Sequence, residues 1–177
     1  MVRLIARMAG EGLFPVEGPG VKAAEVMEMP KSSLARREGL DAALREAHGL
    51  ALPAPGEVTR SGAAFCAWFD LDHVLLVGAE PTPALEAVTS LTDQSDAWCH
   101  VALSGPRAVE ALAYLTPIDL REFAFGPGRC ARSLVGHMPA HIIRTELEHF
   151  DVLVFRSMAG TLARELREVF EGLPPSH

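Results

Sequence analysis

Two β-rich runs, Ala63 to Phe69 and His73 to Val77, are separated only by Asp70-Leu71-Asp72. A three-residue polar break between two such runs reads as an antiparallel hairpin. The pattern recurs toward the C-terminus. There Gly126-Pro127-Gly128 forms a tight turn into Cys130 to Val135, and the runs Ala140 to Thr145 and Phe150 to Phe155 follow at short intervals. Val21 to Met27 and Trp98 to Leu103 are further strand candidates. Short breaks of this kind, with helices placed between groups of strands, favour an α+β fold with antiparallel sheet over a doubly wound parallel one.

The helices have their own signals. From Glu38 to His48, the residues Leu40, Ala43, Leu44 and Ala47 fall on one stripe, Gly49 suits a left-handed cap, and Pro53 prevents resumption. Thr82 and Pro83 suit the cap and first turn of a short helix carrying Leu85 and Val88. Ser104-Gly105-Pro106 opens a helix with Ala108, Leu112 and Leu115 on one side, closed by Thr116-Pro117. The last helix, Ser157 to Glu171, buries Leu162, Leu166, Val169 and Phe170 and stops at Gly172 and Pro174. Residues 1–20 differ in kind. Gly10, Gly12, Gly18 and Gly20, with Pro15 and Pro19, interrupt any helix or strand, so they read as an arm, disordered or draped over a partner. Residues 21–177 then form a single domain.

Composition removes several function classes. A net charge of −7 argues against nucleic-acid binding, which needs a basic face. Lys22 and Lys31 are the only lysines, which leaves few candidates for Schiff-base chemistry or a phosphate-loop lysine. No run approaches the roughly 20 apolar residues of a membrane span, and Arg3 and Arg7 interrupt any signal-peptide core. Cys66, Cys99 and Cys130 are odd in number and widely spaced, which fits buried free thiols and a reducing cytoplasm.

The candidate chemical groups have bland explanations beside them. Ser104 is not in a G-x-S-x-G elbow and reads as a turn or cap residue. His137 and His141 form the nearest approach to a metal pair. Pro139 between them disfavours a helix, and a straight strand separates them by about 13 Å, too far for one ion. His100 and His149 have no carboxylate or cysteine partner by spacing. Asp70 with Asp72, and Asp93 with Asp96, resemble acid/base pairs but sit where turns are expected, and aspartate bonds turn amides readily. Arg129 and Arg132 flank Cys130, an arrangement that lowers a thiol pKa unless the arginines point outward from a strand, which is the preferred reading. No catalytic, cofactor-binding or metal residue is therefore assigned.

The stretch from Thr92-Asp93-Gln94-Ser95-Asp96 through Cys99-His100-Val101-Ala102-Leu103-Ser104-Gly105-Pro106-Arg107-Ala108 resembles a block of the folate-binding aminomethyltransferase superfamily. The ordered series Pro117-Ile118-Asp119-Leu120, Phe125-Gly126-Pro127-Gly128 and Ser133-Leu134-Val135-Gly136 resembles, more narrowly, the gamma-subunit family of heterotetrameric sarcosine oxidase. The similarity runs from about Val21 to Gly172, with its specific part in the middle third.

That resemblance implies the folate-domain fold of aminomethyltransferases and membership of a heterotetramer with large (alpha) and beta subunits that oxidatively demethylates sarcosine. It implies NAD, FAD, FMN and tetrahydrofolate in the partner subunits, none in this chain, and no catalytic site here alone. Catalytic aminomethyltransferases carry an aspartate pair after the glycine matching Gly136, whereas this chain reads His137-Met138-Pro139-Ala140-His141. The lysine of a K-G-C signature is also missing before Gly128-Arg129-Cys130. Both departures suit a fold kept for assembly. Two other readings stay open on the same residues: a stand-alone folate-binding one-carbon transfer enzyme, and a gamma-type subunit of another N-methyl amine oxidase.

Overall fold

The computed structural model describes residues 7–27 and 29–174. The chain runs β1 (Val16–Gly18), β2 (Val21–Glu25), β3 (Lys31–Ala35), α1 (Leu40–His48), β4 (Val58–Ser61), β5 (Ala64–Trp68), β6 (His73–Val77) and α2 (Pro83–Val88). It continues through β7 (Leu91–Asp93), β8 (Trp98–Ser104), α3 (Ala108–Ala113), β9 (Cys130–Val135), β10 (Met138–Glu146), β11 (His149–Phe155) and α4 (Ala159–Gly172). Two sheets result. One has the order β1-β2-β8-β11-β10-β9 and the other β4-β5-β6-β3-β7. Every pairing is antiparallel, so the α+β expectation holds.

Side-chain alternation along the strands builds the layers. One face of the six-stranded sheet, with Cys99, Val101, Ile142, Phe150 and Val152, packs on α3 and α4 through Leu112, Leu162, Leu166 and Phe170. The five-stranded sheet packs Leu34, Cys66, Val74 and Leu76 on Leu40, Leu44 and Leu85 of α1 and α2. The remaining faces meet each other, Phe65, Leu75 and Val77 against Trp98, Cys130, Ile143 and Leu153. The order is helix, sheet, sheet, helix. An isolated bridge between Glu57 and Arg129 stitches the sheets at one edge.

Local signals act as read. Gly49 adopts φ 67° and its N–H donates to the Arg45 carbonyl, closing α1, while the Thr82 hydroxyl accepts from Leu85 N at the start of α2. Gly105 has φ 116°, and a Cβ there would lie 2.5 Å from the Gly20 carbonyl oxygen, so only glycine fits where β8 turns beside the β1–β2 loop. The boundaries shift at two helices: α3 ends at Ala113, short of Leu115, and a 3-10 turn over Arg156–Met158 precedes α4.

The arm is corrected. Residues 1–6 lie outside the described residues, as do Glu28 and residues 175–177. The rest of the arm is ordered on the chain's own core rather than free of regular structure. Val16–Gly18 pairs with Val21–Glu25, Leu13 and Phe14 pack on the larger core, and Gly10 N donates to Glu25 Oε1 at 2.8 Å. Glycine and proline limit the strand to three residues there without preventing it.

Candidate functional site

The inner face of the six-stranded sheet is longer than the sheet that covers it. Where cover ends, a groove of about 300 Å³ opens over Trp98, Arg132, Leu134, Pro139, His141 and Phe155. Four strands contribute to it. Trp98 and Phe155 are direct cross-strand partners of β8 and β11, and their rings stack at 5.1 Å and 16°. Phe69, just after β5, packs edge-on to two of the groove's lining residues, Trp98 at 5.9 Å and His141 at 5.4 Å. The Arg132 guanidinium lies 4.4 Å above the Phe69 ring and 3.7 Å from Asp70. Leu134 and Phe155 remain 42% and 41% exposed, enough for a contacting surface of their own.

His141 forms the floor but offers little chemistry. Burial pushes its pKa down to about 3, Arg132 adds to that, and the Trp68 backbone pulls weakly the other way. The ring is neutral at pH 7, and its two nitrogens are shielded from solvent without a hydrogen bond of adequate geometry. His137 is placed in the turn between β9 and β10, so the two histidines share neither an element nor a level of burial. Among the described residues no group of three or more His, Cys, Asp or Glu side chains is arranged to hold a metal ion.

The other candidates are distributed over the fold. His100 faces Asp151 at 3.2 Å, and Arg60 of the second sheet reaches the same carboxylate at 3.5 Å. This link between sheets was not legible, because its members are far apart in sequence. Glu25, Lys31, His100 and Arg156 border a small cavity of about 20 Å³, room for one water molecule. His149 is exposed beside Glu146 at 3.3 Å. Ser104 ends β8 paired with His149 and Lys22, so its place is in a strand rather than at a helix cap, and Arg107 takes the cap position.

Asp70 and Asp72 occupy the turn between β5 and β6 as expected. Asp93 instead is the last residue of β7, paired with Ser32, and Asp96 lies in the 3-10 turn that follows. Asp70 accepts from Asp72 N at 2.9 Å and lies 3.0 Å from His73. Desolvation pushes its carboxyl up, but these hydrogen bonds together leave it below the ordinary range. Asp93 accepts from Ser95 N at 2.9 Å, which holds its pKa down, and Asp96 is an exposed partner of Arg156 at 3.6 Å. The three cysteines are free and buried. Burial pushes Cys66, Cys99 and Cys130 up to about 12, and at Cys130 it outweighs Arg129.

Arg144 is a residue that sequence reasoning missed. Only 4% exposed, it donates to the carbonyls of Leu120 at 2.9 Å and Phe125 at 2.8 Å and also to that of Leu147. A charge directly after Ile142-Ile143 in an apolar strand was the available signal.

No protein-family model matches the sequence, and neither does any curated protein. Solved structures do. A chain of heterotetrameric sarcosine oxidase from Corynebacterium sp. U-96, in complex with pyrrole 2-carboxylate, superposes with a TM-score of 0.80 at 25% identity, covering 96% of this chain and 93% of that one. The glycine cleavage system aminomethyltransferase T from Bartonella henselae superposes with a TM-score of 0.59 at 14% identity. That match covers 83% of this chain but 45% of the transferase, and shows a shared fold alone. Among the described residues no helix is long and apolar enough to cross a membrane. The family resemblance read from the sequence is thus met in three dimensions: this chain has the aminomethyltransferase-type fold and is similar, over nearly its whole length, to a chain of heterotetrameric sarcosine oxidase.

Proposed function

We propose that this chain is the non-catalytic, gamma-type subunit of a heterotetrameric sarcosine oxidase in the cytoplasm, assembled with large (alpha) and beta subunits. The observation that carries this reading is coverage in both directions: 96% of this chain aligns with 93% of one chain of a heterotetrameric oxidase, so the likeness is to nearly a whole chain of that complex rather than to a fragment of one.

The residues present support an assembly role. At the place where the resemblance puts an acid in the catalytic aminomethyltransferases, Gly136 and His137 form a turn and β10 follows without a carboxylate before Glu146. His141, the first ionisable side chain of β10 after that turn, is neutral and has its nitrogens shielded. These groups do not fit folate-dependent acid catalysis, which needs a carboxyl within reach of the departing amine. In this account the flavin, nicotinamide and folate chemistry belongs to the partner subunits, and this chain supplies a folded surface for them. Co-expression with the large and beta subunits followed by size exclusion tests it. Co-elution of this chain with the oxidase is expected. A complete, fully active oxidase assembled without it contradicts the proposal.

A further inference from the structure

The six-stranded sheet ends on one side at β9, a six-residue edge, while β1, β4 and β7 at the other edges have three, four and three residues. Hydrogen bonds fix which main-chain groups of β9 point outward. Cys130 N donates to the Gly56 carbonyl at 2.9 Å and Val58 N to the Gly128 carbonyl at 2.9 Å, so the approach to β4 closes the beginning of this edge. On the opposite side Arg144 N donates to the Arg129 carbonyl at 2.8 Å, and Ala131 and Ser133 stand opposite Ile142 and Ala140 of β10. Alternate residues of an antiparallel strand direct N–H and C=O to the same side. Arg132 and Leu134 therefore direct theirs, like Cys130, away from β10. Among the described residues neither makes a main-chain hydrogen bond to an element on that side.

The side chains of these two residues line the 300 Å³ groove. An unpaired backbone edge and a half-exposed apolar groove thus lie side by side, and both are satisfied by one kind of occupant. An extended peptide offers N–H and C=O groups at the strand repeat and places every second side chain on one face. Edges left open in this way are otherwise blunted by charge, proline or a bulge. Here only Arg132 serves that purpose, and it is turned over Phe69 and toward Asp70.

We propose that β9 accepts an extended segment of an unlike partner chain as the next strand of this sheet, with an apolar side chain of that segment seated beside Leu134 and Phe155. The proposal rests on the subunit reading and adds the surface and the mode of contact. A second copy of this chain is the poorer occupant for two reasons. A six-residue strand spans about 20 Å and covers roughly 200 Å² a side, far below the ~800 Å² per partner of a stable interface. A larger partner makes up the rest elsewhere. Two copies of a chain with an overall net charge of −7 would also repel one another.

The test uses the full chain co-expressed with the large and beta subunits, and two proline variants. Leu134→Pro removes an outward N–H, which an edge strand tolerates. Ser133→Pro removes an inward one and lowers the melting temperature of the free chain, which verifies the register. The expected result is that the wild-type chain co-elutes with its partners, the amides of Arg132 and Leu134 gain at least tenfold protection from hydrogen exchange in the complex, and Leu134→Pro binds at least tenfold more weakly while melting like the wild type. If the wild type co-elutes but those amides exchange as fast as in the free chain, or Leu134→Pro assembles equally well, the strand addition is wrong and the subunit reading stands. If the wild type joins no partner, both fall. If the free chain elutes as a dimer with those amides already protected, the occupant is a second copy and the proposal is overturned. Should Leu134→Pro fail to fold, exchange in the wild-type complex decides alone.

Discussion

The imidazole of His141 meets the ring of Phe69 edge-on, with centroids 5.4 Å apart and planes at 83°, across the junction of the two sheets. A histidine so enclosed is apolar packing with a proton-binding cost. Burial sets its pKa near 3, against an ordinary value near 6.5. Between these values the unfolded chain binds a proton that the folded chain does not, so folding stability is fully present above about pH 6.5 and falls as pH drops toward 3.

The first prediction follows from that sign. The wild-type chain loses stability below pH 6.5 at up to ~1.4 kcal/mol per pH unit from this one group. His141→Leu, of similar volume, flattens the urea-midpoint profile between pH 6 and 4 by about that slope. Parallel profiles for the two proteins would show that His141 is not the buried neutral group described.

Arg144 predicts a different failure. Among the described residues its guanidinium has no carboxylate partner and is satisfied by the carbonyls of Leu120, Phe125 and Leu147, which ties the loop after α3 to the tip of the β10–β11 hairpin. Arg144→Met keeps the stem but leaves those carbonyls short of a donor, at roughly 1 kcal/mol or more each. Urea unfolding should show a loss of about 3 kcal/mol, and proteolysis should cut first between residues 117 and 129. A loss under ~1 kcal/mol would mean that the loop is held by other means.

The thiols give a third prediction. With Cys66, Cys99 and Cys130 buried and pushed up to about 12, none is a thiolate at pH 8. A thiol reagent should react slowly with the native protein, at the rate of unfolding, and titrate all three groups quickly in denaturant. One fast thiol in the native state, Cys130 above all, would revive the reading in which its flanking arginines activate it.

The strands legible in the sequence were β2, β5, β6 and β8 to β11, which lay close to their expected places. β3 was missed because Lys31-Ser32-Ser33 looks like a loop, yet Lys31 and Ser32 are each 3% exposed on a strand flanked on both sides in the five-stranded sheet. Tertiary pairing with β6 and β7 overrides their weak strand propensity. β4 is a half-exposed edge and β7 is three residues inside a stretch read as turn, so neither carried an apolar alternation. The groove was illegible for another reason. Leu134, Phe155 and Trp98 come together only once β8, β11, β10 and β9 lie in that order, and no spacing along the chain encodes the order. The amide-binding roles of Asp70 and Asp93 were readable, because an aspartate two residues before an amide makes its contact locally.

The most direct measurement is a pull-down of this chain from its native cell extract, followed by the absorption spectrum of what accompanies it. The subunit account predicts a flavin spectrum that bleaches when sarcosine is added without oxygen, with no turnover by the chain once it is separated. Oxidation of a methylated amine by the isolated chain, or capture of the chain free of any flavoprotein, would contradict the account.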